Sequence, residues 1–264
     1  MNIFLRELKA NLKSLIIWSV IMLFFVYSGI TKFSAYEGNP EMLEIMGSMP
    51  PALMEAFQMN AFNLTTIEGF FGVMFMYFAL LGTISATMWG SDIIAKEERD
   101  KTVEFALTLP VSRNRVVTAK ITAVIVNCIA FLGVTWVASI AATATYSPDA
   151  AFYDFLALCM ATLFVLQMIF LSIGVLLGCA MKQHKRAGSV AVGLLMGTYF
   201  ISIIAGLNEN LEFLKYFSPF TYFDRAQLLN ESSVDPIYVL LSLAIIIVAY
   251  IGAYVTYGRR DLYI

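Results

Sequence analysis

Apolar and polar positions along this chain fall in blocks: six continuous apolar runs, at 15–33, 67–90, 118–145, 152–181, 187–207 and 236–257, are separated by shorter polar stretches. A helix rises about 1.5 Å per residue, so about 20 apolar residues cross a hydrocarbon core about 30 Å thick, and each run is of that order. Strands of a membrane barrel would alternate apolar and polar positions in segments of about ten residues, whereas these runs are continuous, and a helix satisfies its own backbone polar groups in lipid. The expected class is therefore all-α: a polytopic membrane protein with six transmembrane helices, a single transmembrane domain over 1–264. The first run starts after Lys13 and is not followed by an Ala-x-Ala cleavage site, so it is expected to be retained and not a signal peptide.

Composition agrees with that class. The chain is 59% hydrophobic and 14% charged, against about 45–50% apolar and about 25% charged in a soluble domain, which excludes a water-soluble core. Cys128, Cys159 and Cys179 all lie inside apolar runs, where they read as packing residues and not as a disulfide framework or a CxxC metal site. The net charge of −2 carries no basic patch interleaved with aromatics, so no nucleic acid is expected as a partner.

The distribution of charge gives orientation, because cytoplasmic connections hold the excess of Lys and Arg. Arg6, Lys9 and Lys13 precede the first span. Lys96, Arg99, Lys101, Arg113, Arg115 and Lys120 lie around the connection between the second and third spans. Lys182, Lys185 and Arg186 join the fourth to the fifth, and Arg259 and Arg260 end the chain. Together they make 14 of its 17 Lys and Arg, leaving Lys32, Lys215 and Arg225 on the other side. Both termini are thus expected in the cytoplasm, with the chain in the cell (inner or plasma) membrane. The organisation that follows is a cytoplasmic amphipathic segment at 1–13, an outer loop at 34–66, a cytoplasmic region at 91–117 and a second outer loop at 208–235. In the first outer loop, Pro50 and Pro51 interrupt a Met-rich stretch, which suits either two short interfacial helices or a plain loop. The aromatics of the second, Phe213 to Phe223, suit an interfacial belt. Residues 3 to 12 place Phe4, Leu5, Leu8 and Leu12 on one side and Arg6, Lys9 and Asn11 on the other, either as a helix flat on the inner leaflet or as the polar start of the first span.

No ionisable side chain falls near the middle of a span, which weakens a carrier or channel working alone. Asn127 and Gln167 are the polar residues at depth, suited to packing across helices or to contact with a substrate. Gly174-x-x-x-Gly178 and Gly193-x-x-x-Gly197 each put small residues on one helix face, the pattern of close helix approach within a subunit or a dimer. The single histidine, His184, lies in a basic connection, and neither HExxH nor GxxxxGK[ST] occurs, so no catalytic, metal or nucleotide site is expected in this chain.

The most informative stretch runs from Ala95 to Arg113. Pro110 disfavours helix at Leu109, and Ser112 is placed to cap the helix that follows. Glu97 and Lys101 stand four apart, and Val103, Ala106 and Leu107 form a small apolar stripe, as expected of a short helix that docks on something cytoplasmic. Glu97-Glu98, Lys101-Thr102-Val103-Glu104, Leu107 to Arg113 and Lys120 resemble the corresponding loop of ABC-2-type permeases. So do the segments Phe4 to Lys9, Ser218 to Phe223 and Arg260-Asp261. Lys101 stands where many members have glycine.

The resemblance implies a coupling helix at 97–108 seated in a groove of a separate ATPase subunit, with ATP and Mg bound by that partner and none in this chain. It further implies two ATPase copies, a second permease (homodimer or paralogue), and ATP-driven export of an amphipathic or lipophilic substrate. Glu97, Glu98, Lys101, Thr102, Val103, Glu104, Leu107, Pro110 and Arg113 would make the ATPase contact. The resemblance also implies a connecting helix at the N-terminus and short re-entrant helices in the last outer loop. Without it, the same sequence fits a non-transporting membrane scaffold or immunity protein that binds a membrane-active peptide, and the charged connection fits an ordinary solvated loop.

Overall fold

The structure is a computed structural model, described here over residues 3–50, 54, 62–99, 112–207, 209–223, 225–231 and 233–259. Its described helices are α1 (Ile3–Thr31), α2 (Pro40–Gly47), α3 (Ile67–Arg99), α4 (Arg113–Thr143), α5 (Ala150–Ala180), α6 (His184–Leu207), α7 (Arg225–Glu231) and α8 (Pro236–Arg259). Six of them, α1, α3, α4, α5, α6 and α8, are long and apolar enough to cross a membrane, and no strand occurs among the described residues. The sequence pattern located all six within a few residues at most ends. The exceptions are polar ends, where helix continues beyond the hydrocarbon-length segment because nothing breaks it.

α1 shows this best. It has neither proline nor glycine between Ile3 and Ser28, so the hydrogen-bond ladder runs unbroken from Ile3 to Thr31. Residues 3 to 12 are thus the start of the first spanning rod, with no break at which an in-plane helix would turn into the bilayer. Capping sets the starts of two further helices. Ser112 is extended and its hydroxyl accepts from the Arg115 N–H at the head of α4, as its position before the helix predicts. Asp149 does the same for α5, accepting from the Phe152 N–H at 2.9 Å.

α3 and α5 form the centre of the bundle, and α1, α6 and α8 the rim. α3 packs along the length of α5. α1 lies on α4 and α3, α6 on α3 and α5, and α8 on α5 and α4. The central crossing is close because it is made of glycine: a Cβ on Gly90 of α3 would lie 2.5 Å from the Leu171 carbonyl oxygen, and one on Gly174 of α5 would lie 2.6 Å from that of Thr87. Lipid tails are as apolar as leucine, so burial gives spans little reason to associate, and close backbone approach supplies the van der Waals contact that does. The buried hydroxyls along this core turn back on their own helices, Thr87 to the Thr83 carbonyl and Ser139 to that of Thr135, which removes their cost in an apolar interior.

The glycine pairs of the sequence separate here. Gly174 and Gly178 meet α3, whereas Gly193 and Gly197 of α6 have no atom within 4 Å of where a Cβ would stand. At the end of the bundle away from the termini, Phe220 packs its ring 5.2 Å from Phe170 and 5.6 Å from Tyr199, and Tyr222 stacks 5.1 Å from Tyr238. Short 3-10 turns at Glu209–Phe217 and Pro219–Thr221 carry these rings. Phe213, Tyr216 and Phe217 stay exposed, so the aromatic segment divides between a plug on the bundle and a belt around it. Burial pushes the Tyr222 phenol up, and its hydroxyl donates to the Tyr216 carbonyl at 2.7 Å.

Candidate functional site

Of the residues the sequence assigned to coupling, Lys101, Thr102, Val103, Glu104, Leu107 and Pro110 lie outside the described residues. Their flanks are described. Glu97 and Glu98 occupy the last turn of α3, and Arg113 opens α4, its guanidinium donating to the Gly258 carbonyl of α8 at 3.3 Å. Thr118, just beyond, shares a 2.7 Å hydrogen bond with the Tyr254 hydroxyl. The C-terminal turn of α8 is thereby tied to the helix that leaves the 100–111 segment.

The chemistry that holds the other flank was not assigned from the sequence. Glu7 of α1 is only 1% exposed and forms an ion pair with Lys96 of α3 and a second, at 3.1 Å, with Arg6. Lys120 of α4, fully buried, donates to the Ile93 carbonyl of α3 at 2.8 Å and adds its positive charge to the field on Glu7. Lys120, counted from the sequence with the basic residues around the start of the third span, is an interior cation. The physical reason is that Glu7 sits beside it. A buried ammonium is costly unless it is paired and hydrogen-bonded, and α1 and α3 supply both conditions. One carboxylate thus joins the first turns of α1, the last turns of α3 and the first turns of α4, bracketing the 100–111 segment on both sides.

A signal for this was present. Glu7, Asn11, Ser14 and Trp18 recur at helical spacing, as do Ser85, Trp89, Asp92 and Lys96, so each set forms one stripe of a helix. The two stripes face each other in the structure, where the Trp89 Nε1–H donates to Ser14 Oγ at 2.9 Å. Reading residues 3 to 12 as a separate segment cut the first stripe in two and hid it.

A match to the family described as ABC-2 family transporter protein extends over residues 1–262. The chain belongs to that family. Comparison with curated proteins finds no match. As an ABC-2 membrane protein the chain is a multi-pass permease of an ABC transporter, a class that works in general with a partner ATPase, and the flanks just described are those of its expected coupling loop. Asn127 and Gln167 of this ABC-2 chain are both buried in its core. Neither the Asn127 Nδ2 nor either polar atom of Gln167 has a hydrogen-bond partner among the described residues. Beside the cluster, α1, α3 and α6 enclose a cavity of about 820 Å³.

Proposed function

We propose that this chain is the membrane-spanning subunit of an ATP-driven exporter of amphipathic or lipophilic molecules, working with a second permease and two copies of a cytoplasmic ATPase that binds ATP and Mg. Both termini lie in the cytoplasm of a cell whose inner or plasma membrane holds the complex. Residues 97–108 form the docking lever, with Val103 and Leu107 as its apolar contact and Glu97, Glu98, Lys101, Thr102 and Glu104 as its polar one, and Arg113 adds a contact beyond it. Pro110 ends it.

The observation that carries this reading is the Glu7–Lys96–Lys120 cluster. A lever transmits force only if its ends are rigidly joined to what must move. Here the helix entering the segment and the helix leaving it are both joined to α1 through one buried carboxylate, and the leaving helix is also joined to α8 through Arg113. A push on the segment is therefore delivered to α1, α3, α4 and α8 together, as rocking of whole spans demands.

The test is copurification of the tagged chain with its ATPase, followed by ATP-dependent, vanadate-sensitive efflux from proteoliposomes. The paired change Val103→Asp and Leu107→Asp is expected to abolish ATPase capture while the chain still elutes as a folded species. Unchanged capture would remove the lever, and capture without any nucleotide-dependent efflux would leave a scaffold.

A further inference from the structure

The cavity between α1, α3 and α6 lies at the same end of the bundle as both termini, and its lining has a definite chemistry. α1 and α6 each pack on α3 but scarcely on each other, so the groove over α3 between them stays open. Trp18, Trp89, Met88 and Val192 give it apolar and aromatic walls. Trp89 is fixed by its hydrogen bond to Ser14 and by an edge-to-face contact with Phe131 at 5.8 Å. Among the described residues, Asp92 is the only ionisable side chain that lines it. Nearby, the Lys96 amine pairs with Glu7 and the Lys120 amine donates to the Ile93 carbonyl.

Asn11 supplies the second observation. It is 8% exposed, it lines the cavity, and its Nδ2 has no acceptor among the described residues. A buried amide donor without an acceptor is costly, and such groups in native structures are commonly satisfied by something that binds.

We infer that this cavity is a binding site for an amphipathic organic cation that carries an acceptor oxygen. Its apolar body lies between the Trp18 and Trp89 indoles, whose faces attract positive charge. Its cationic group faces Asp92, whose carboxylate offers about four acceptor positions and so serves a ligand alongside other partners. Its oxygen accepts from Asn11. Apolar walls with a few fixed polar groups are the usual construction of a small-molecule site, and about 820 Å³ suits a drug-sized molecule. The inference deepens the export reading, on which it rests only for calling the ligand a substrate. Entry at this end of the spans would load it from the inner leaflet.

The probe is rhodamine 6G, a fluorescent cation with an ester carbonyl, titrated by polarisation against the purified full chain in nanodiscs without nucleotide or ATPase. Saturable binding is expected, displaced by tetraphenylphosphonium and not by tetraphenylborate, its near-isostere of opposite charge. Asp92→Asn is expected to raise Kd at least tenfold, and Asn11→Ala several-fold. Gly193→Phe should abolish binding without harming the fold, since a side chain there grows into open space from a residue lining the cavity. It therefore decides the matter even if Asp92→Asn misfolds. Equal displacement by tetraphenylborate, wild-type affinity in Gly193→Phe, or absence of saturable binding would overturn the assignment. Weaker dye binding in phosphatidylethanolamine discs than in discs of an uncharged galactolipid would identify a lipid ammonium as the cation recognised; equal binding would identify a free one. Because no ATPase is present, dye binding with failed ATPase capture would sink the exporter alone, and the converse would sink this site alone.

Discussion

Glu7 is the residue on which most of the charge at the terminal end depends. It faces Lys96 and Lys120 at once. Glu7→Ala takes the shared carboxylate from both lysines, whereas Lys96→Met leaves Glu7 still beside Arg6 and Lys120. Removing one partner of a buried pair costs on the order of 3 kcal/mol, so Glu7→Ala should lower the thermal midpoint in detergent clearly more than Lys96→Met does. Equal midpoints would mean that the cluster is solvated. Glu7 also shows why the site was only partly legible. The sequence places a carboxylate among Arg6, Lys9 and Lys13, but whether it meets solvent or Lys120, more than a hundred positions away, depends on how α1 packs against α4. Asn127 and Gln167 mark the opposite case, since their depth was readable from the apolar runs around them.

At the scale of elements, the glycine pattern of a helix says that close approach is allowed and not that it occurs. Gly174→Ala places a methyl group against the Thr87 backbone of α3 and should cost about 1–3 kcal/mol by overpacking, seen as a loss of the monodisperse fraction in fluorescence-detected size exclusion. Gly193→Ala and Gly197→Ala meet no neighbour, and their elution should match the parent chain within about 0.5 kcal/mol of stability. If all three behave alike, the α3–α5 crossing is not the tight one. The two pairs have identical spacing, so sequence alone could not rank them. What separates them is that Gly90 stands on α3 opposite Gly174, while α6 presents its glycines to an open groove and an exposed face.

For the molecule as a whole, orientation is the claim with the widest consequences, and the chain provides a clean background for testing it. Cys128, Cys159 and Cys179 are buried, so an impermeant maleimide should pass over them. Ser48→Cys, exposed just after α2, should label in intact cells, and Lys182→Cys, exposed between α5 and α6, only in inverted vesicles. The opposite pattern would turn the lever to the exterior and end the exporter reading. The number, type and approximate limits of the spans, and the family through its loop residues, were determined by the sequence, because hydrocarbon leaves the backbone one economical solution and makes each run a local signal. Which helices lie at the centre, that residues 3 to 12 belong to the first rod, that Lys120 is interior, and that α1, α3 and α6 surround a cavity were decided by tertiary structure alone. Those facts depend on which faces of distant helices meet, and hydropathy along one helix does not encode its rotation against another.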